Sequence, residues 1–282
     1  MENKTVNFHI FRYHLLPIEN FQVDLFEKKE KLTYEEVKER KNGFFKEILD
    51  NLPFSKSNKN PLVLENTEDD YYLFKLAQKK STIITQNFKN VEIDNEPYVY
   101  VIVNNNPKIQ KIAISDNYEA FSNPKVVKNL LKKTFNKDLK KHRLNVEIEQ
   151  LFDKIEFWDY VKKHQEKITY INFQFIKPNL ADISKSLPNV FRNFSETVNS
   201  HESNIVLKAP EKGALENISQ KNSDIKGLVD YSSEGAGNIR LKVKKIRKQL
   251  NTQDKPVILE IQELDLEGPA EQVIKLYKTI VE

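Results

Sequence analysis

"EPYVYVIVNNNPKIQKIAISDN", residues 96–117, decides how this chain folds. Two β-rich runs flank the short polar turn "NNNP", which is the pattern of a β-hairpin. A hairpin joins antiparallel strands, whereas parallel strands need a crossover of a dozen or more residues. Working outward, "LVLEN", "YYLFKLA" and "STIIT" are short strands before the hairpin. Further upstream, Thr33 stands three residues before Glu36 as a capping box for the helix "YEEVKERKNGFFKEILDNL", and Pro53 ends it. "FSKSNKNP", residues 54–61, is a loop, and "VNFHIF" at 6–11 alternates as a strand.

Downstream, Asn123-Pro124 opens the helix "PKVVKNLLKKTFNKDLKKH" with proline at its favoured first position. "RLNVEIEQL" is strand-like and "FDKIEFWDYVKKHQEK" helical; "ITYINFQFIKPNL" then begins a second unit. A helix near 180–200, the strand "NIVLKA", a short helix at "KGALENISQ", the strand "IRLKVKKI", the strand "PVILEIQELDL" (256–266) and a final helix "PAEQVIKLYKTIV" follow. Strands and helices mix without regular βαβα alternation, so the expected class is α+β with mixed or antiparallel sheets and packed helices. "INFQFI" at 171–176 echoes "VNFHIF", a weak sign of duplication. The expected halves are 1–150, carrying a basic helix, and 151–282, carrying a glycine loop and a basic strand. No Gly/Ser- or Pro-rich linker separates them, so they are expected to pack closely.

The composition excludes several chemistries. There is no cysteine, which removes disulfides, thiolate metal sites and cysteine nucleophiles. No apolar run approaches the roughly 18–20 residues of a membrane span, and the N-terminus has no signal-peptide pattern; a cytoplasmic protein without membrane contact is expected. Walker, G-x-S-x-G and H-E-x-x-H motifs are absent, and "EGAGNIR" lacks the third glycine of a dinucleotide fingerprint. His9, His14, His142, His164 and His201 are scattered, so no cofactor or metal is expected. Asp94, Glu147 and Glu260 could serve a metal-dependent nuclease only if distant strands converge; the plainer reading makes such acids solvent faces of strands. Phe173 and Phe175 share one strand face and are expected in the core.

The formal charge is only +4, so its distribution carries the functional argument. In "PKVVKNLLKKTFNKDLKKHR" eight Lys and Arg face one acid, Asp138. On a helical wheel Val127, Leu130, Leu131, Phe135 and Leu139 form an apolar stripe, with Lys125, Lys132, Lys133 and Lys140 mainly opposite. In "RLKVKKIRK", 240–248, six basic residues meet no acid. Strand alternation turns Arg240, Lys242 and Lys244 outward and breaks at Lys245. Before them, Gly235 and Gly237 could take positive φ and form an anion-binding nest. These features lead to the expectation of a non-catalytic protein that binds nucleic-acid backbone, DNA or RNA, inside a larger assembly. The Lys-, Asn- and Ile-rich composition suits an AT-rich bacterial defence or mobile-element setting. A metal-dependent nuclease and an interaction subunit with an acidic protein partner are the alternatives, and protein partners or self-association are expected.

Overall fold

The computed structural model describes residues 5–18, 32–52, 59–177, 180–262 and 270–282, and the chain divides into two units. The first comprises Met1–His9, Pro17–Asn145 and Ile258–Glu282; the second comprises Ile10–Leu16 and Val146–Val257. One crossing falls between Asn145 and Val146, and each unit also takes a segment from the opposite end of the chain. The architecture is α+β. Part of the loop at 54–61 and the end of the strand at 256–266 lie outside the described residues.

In the first unit, β1 (Thr5–Pro17) begins a sheet with β2 (Leu62–Glu68), β3 (Tyr71–Ala77), β6 (Tyr98–Asn104), β7 (Lys111–Ser115) and β13 (Ile258–Gln262). Their order is β13-β1-β7-β6-β3-β2. The hairpin that organises the sequence is β6–β7, paired antiparallel with Val101 opposite Ile114 and Asn104 opposite Lys111. Its turn is longer than two residues: the Asn106 carbonyl accepts from the Ile109 and Gln110 amides, and Gln110 is left-handed at φ 48°. Helix α1 (Tyr34–Asp50) pins this turn, because the Asn42 amide donates to the Asn105 carbonyl at 3.0 Å. The Thr33–Glu36 capping box at the start of α1 forms in both directions.

Helix α2 (Pro124–Leu139) buries Val127, Leu131, Phe135 and Leu139, and Phe135 meets Phe45 of α1 edge-on at 5.1 Å. The apolar stripe sits where the wheel places it, with Leu130 only half-buried at its margin. The C-terminal helix α7 (Ala270–Val281) packs over β3, β6 and β7. Between β3 and β6 the chain forms a separate ribbon of β4 (Lys80–Gln86) and β5 (Lys89–Asn95), every residue of which is exposed. The sequence reading makes Asp94 part of a strand face but misses the β4–β5 hairpin, because its turn is Asn87-Phe88 rather than Asn-Gly. Both residues are nevertheless left-handed (φ 51° and 61°), as a two-residue hairpin turn of the right twist requires.

In the second unit, β8 (Leu144–Gln150) pairs with β1, the Leu151 amide donating to the Ile10 carbonyl. Helix α3 (Lys154–His164) leads to β9 (Ile168–Ile176), and helices α4 (Ala181–Ser184) and α5 (Asn189–Thr197) lead to β10 (Glu202–Lys208). Helix α6 (Ser223–Tyr231), β11 (Gly237–Val243) and β12 (Leu250–Asn251) complete a four-stranded antiparallel sheet of order β10-β9-β11-β12. One face of that sheet is core: Ile171, Phe173, Phe175, Ile239 and Leu241 are buried with Leu228 of α6. Burial of each large apolar side chain is worth roughly 1.5–3 kcal/mol, so this face anchors the unit.

The helix expected at "KGALENISQ" is absent. Lys212 and Asn217 are left-handed (φ 63° and 57°), which interrupts any helix there. The helix forms later as α6, where the Asn222 side chain caps it by accepting from the Asp224 and Ile225 amides.

Candidate nucleic-acid interface

Because β9 and β11 bury one side, strand alternation fixes what the other side presents. The register sets Lys208, Tyr170 and Lys242 in one row across β10, β9 and β11. The next row is Val206, Asn172, Arg240 and Asn251, and the one after it Asn204, Gln174 and Asn238. Arg240, Lys242, Asn204 and Lys208 are exposed, whereas Tyr170, Asn172 and Gln174 on the central strand are half-buried. The Lys242 ammonium lies 5.3 Å from the centre of the Tyr170 ring, so the aromatic separates the two lysines of its row. The Asn172 amide donates to Asn204 Oδ1 at 3.3 Å, and Asn204 in turn donates to Glu202 at the far end of the face.

The cationic end of this face continues past the strand. The register shifts between Lys242 and Val243, Lys245 is left-handed at φ 69°, and Lys244, Lys245, Arg247 and Lys248 are all exposed. The break expected at Lys245 is therefore real. Lys244 leaves the row of Arg240 and Lys242, and its ammonium donates to the Lys212 carbonyl at 3.3 Å. Lys248 approaches Asp254 at 3.9 Å. The face thus presents amides, a tyrosine and three cations, and it is open at Arg240, Lys242, Asn204 and Lys208 but closed at Asn238, which is buried and accepts from the Thr252 hydroxyl. Tyr170, Asn172 and Lys208 escaped the sequence reading. The signal for Tyr170 and Asn172 was their shared parity opposite the core phenylalanines; that for Lys208 was only the strand register.

The glycine loop sits elsewhere. Gly235 does take positive φ, 77°, but Gly237 is extended at φ 169°, so the expectation of positive φ at Gly237 is corrected. Gly237 is needed for close approach: a Cβ there would stand 2.1 Å from the Gln174 carbonyl of the neighbouring strand. The loop is inside the second unit. Arg12, 5% exposed, donates through Nε to the Glu234 carbonyl at 2.6 Å and through Nη2 to the Glu234 carboxylate at 3.3 Å. His14, fully buried, places Nε2 2.8 Å from the Gly235 carbonyl. Burial lowers the Arg12 pKa, and the Glu234 carboxylate opposes that shift. With Gly235, Ala236 and Gly237 all buried, a phosphate could reach these amides only by displacing packed side chains.

In the first unit the α2 lysines divide. Lys133 and Lys140 are exposed and share a ridge with Lys137, which the sequence reading left out. Lys132 is half-buried beside the apolar stripe. Lys125 is also half-buried and faces His9, whose pKa is pulled down first by burial and then by Lys125, against Asp116. The expected four-lysine ridge is thus two lysines of the four plus Lys137. Asp94 lies on β5, Glu147 on β8 and Glu260 on β13; among the described residues no three His, Asp or Glu side chains form a metal-holding group. Among those residues, too, no helix is long and apolar enough to cross a membrane. No protein-family model matches the chain and no curated protein matches its sequence, so these surfaces are read from their own chemistry.

Proposed function

We propose that this chain binds nucleic acid by its phosphate backbone, with little reading of base sequence, through the open face of the second unit's sheet. The supporting observation is the register itself: Lys208, Tyr170 and Lys242 in one row beside Arg240 and Asn172 in the next, opposite a fully packed core face. Like charges held on one rigid face repel each other, and an anionic strand relieves that repulsion. The lysines of α2 supply a second cationic surface within the first unit. In this reading the protein acts without catalysis, as a component of a larger assembly of the bacterial defence or mobile-element kind.

The test is a set of binding isotherms with labelled single- and double-stranded DNA and RNA, with and without Mg²⁺. The double variant Arg240→Ala/Lys242→Ala should weaken binding and keep the fold, since both side chains are exposed. If each cation meets one phosphate, the log–log salt slope should flatten by about 1.4 for a single strand and about 1.8 for a duplex. An unchanged slope in a folded variant refutes the assignment of this face. Mg²⁺-dependent cleavage would instead identify a nuclease, and absence of any binding would redirect attention to an acidic protein partner.

A further inference from the structure

The four-stranded sheet of the second unit ends on β10, and hydrogen bonding decides what that edge offers. The Ala209 amide donates to the Thr169 carbonyl and the Lys177 amide to the His201 carbonyl, both at 2.9 Å. Bonded positions alternate along an antiparallel pair, so Ser203, Ile205 and Leu207 turn their backbone groups to β9. Glu202, Asn204, Val206 and Lys208 turn theirs to the open edge, and all four residues are exposed. A second exposed feature lies on the preceding helix. Val190, Phe194 and Val198 recur at i, i+4 and i+8 along α5 and its C-cap, and are 74%, 66% and 52% exposed. The opposite flank of α5 begins at Pro188 and meets α6: an added Cβ at Gly227 would stand 2.5 Å from the Ser186 carbonyl and 3.1 Å from the Pro188 ring. Between the two flanks, Phe191 packs against the core and Ser195 is buried. Helix α6 lies on the β11 side, since Tyr231 at its end donates to the Ile176 carbonyl, a group turned away from β10. The apolar flank of α5 therefore faces the β10 side.

We propose that β10 is a self-association edge, at which a second copy of this chain adds its own β10 antiparallel and joins the two four-stranded sheets into one. The strand is complementary to itself. With the two-fold axis at Ile205, Glu202 stands opposite Lys208 of the second copy and Asn204 opposite its Val206, so every outward residue meets an outward residue. The axis repeats each pairing, which gives two Glu–Lys pairs and no like-charge pair. Among the described residues neither Glu202 nor Lys208 forms an ion pair within its own chain. A shift of one residue sets outward groups against inward ones, and a shift of two loses both charge pairs. Ile205, on the core side, meets its own copy. The Val190–Phe194–Val198 flanks approach from each side and supply the apolar part of the interface. The other outer strand, β12, spans two residues and offers no such length. This edge is separate from the face carrying Arg240 and Lys242, so the inference stands whether or not that face binds nucleic acid.

Sedimentation velocity of the full chain, freed of nucleic acid, over a concentration series tests this. A species of twice the 33.2 kDa chain mass should grow with concentration. Glu202→Lys and Lys208→Glu should each weaken the dimer by about five-fold or more, because each turns both charge pairs into like-charge pairs. Glu202→Lys/Lys208→Glu in one chain, or an equimolar mixture of the two single variants, should restore it. Val206→Pro removes an outward N–H without touching a bond to β9, and should weaken the dimer by about ten-fold or more. Should circular dichroism show that the proline disturbs the fold, Phe194→Asp is read in its place with a similar loss expected, since that side chain is exposed. A chain that stays monomeric at every concentration overturns the proposal. So does a dimer that the single reversals leave intact, or one that the charge swap fails to restore.

Discussion

Alanine at three glycines should give three different stability changes, because the structure assigns each glycine a different reason. Gly235 sits at φ 77°, and an added Cβ would meet Arg12 Cβ and Leu151 Cδ1 at 2.7 Å each. The left-handed backbone costs an L-residue about 1–2 kcal/mol, and overpacking adds about 1–3 kcal/mol. Gly235→Ala should therefore cost about 2–5 kcal/mol. Gly237 carries no backbone strain, but its Cβ would stand 2.1 Å from the Gln174 carbonyl and 3.0 Å from Phe175 Cα. Both are backbone atoms of the paired strand, which cannot rotate away as a side chain can. The cost should sit at or above the upper end of the overpacking range, about 3 kcal/mol. Gly43 is the control: it lies within α1 and a Cβ there meets nothing within 4 Å. Gly43→Ala should stabilise by about 0.5–1 kcal/mol through helix propensity. Urea denaturation followed by circular dichroism measures all three. Oligonucleotide affinity, measured where each variant is folded, should stay at the wild-type value, since the loop is buried. Either loop variant within about 0.5 kcal/mol of wild type would refute the packing argument. A folded Gly235→Ala with lowered polyanion affinity would return the loop to the role of a phosphate nest.

Two further outcomes follow from buried charge. Glu234→Gln removes the carboxylate facing the buried Arg12 while leaving the Glu234 backbone carbonyl in place; it should cost about 1–3 kcal/mol in urea denaturation, and an unchanged midpoint would show that the carboxylate contributes nothing to holding Arg12. Burial, then the neighbouring Lys38, pulls Lys41 down to about 8; between that value and about 10.4 the unfolded chain holds a proton that the folded chain has lost, so stability from this group should rise with pH across that window, and Lys41→Met should abolish the rise.

What the sequence discloses is set by how far apart the deciding residues stand. The hairpin, the capping box at Thr33 and Glu36 and the Asn123-Pro124 helix start rest on contacts within a few residues, and all three are legible. The turn Asn87-Phe88 is equally local, but its left-handed residues are not glycines, so turn chemistry missed the β4–β5 hairpin. The glycine loop was ambiguous for the opposite reason. Its neighbours, Arg12 and His14, arrive from more than 200 residues away, and nothing near Gly235 announces them. The outward parity of Arg240 and Lys242 was legible because Leu241 between them and Val243 after them are apolar, yet the strand alone could not supply Tyr170, Asn172 or Lys208. Those come only from register, where β9 pairs β10 on one side and β11 on the other. The α2 ridge shows the same limit on a helix: the wheel puts Lys133 and Lys140 outward, but only the approach of β2 and β3 turns that ridge into the wall of a groove. Single elements thus set the sign of the charge they expose, and the pairing between elements decides whether that charge lies on a sheet face or beside a cavity.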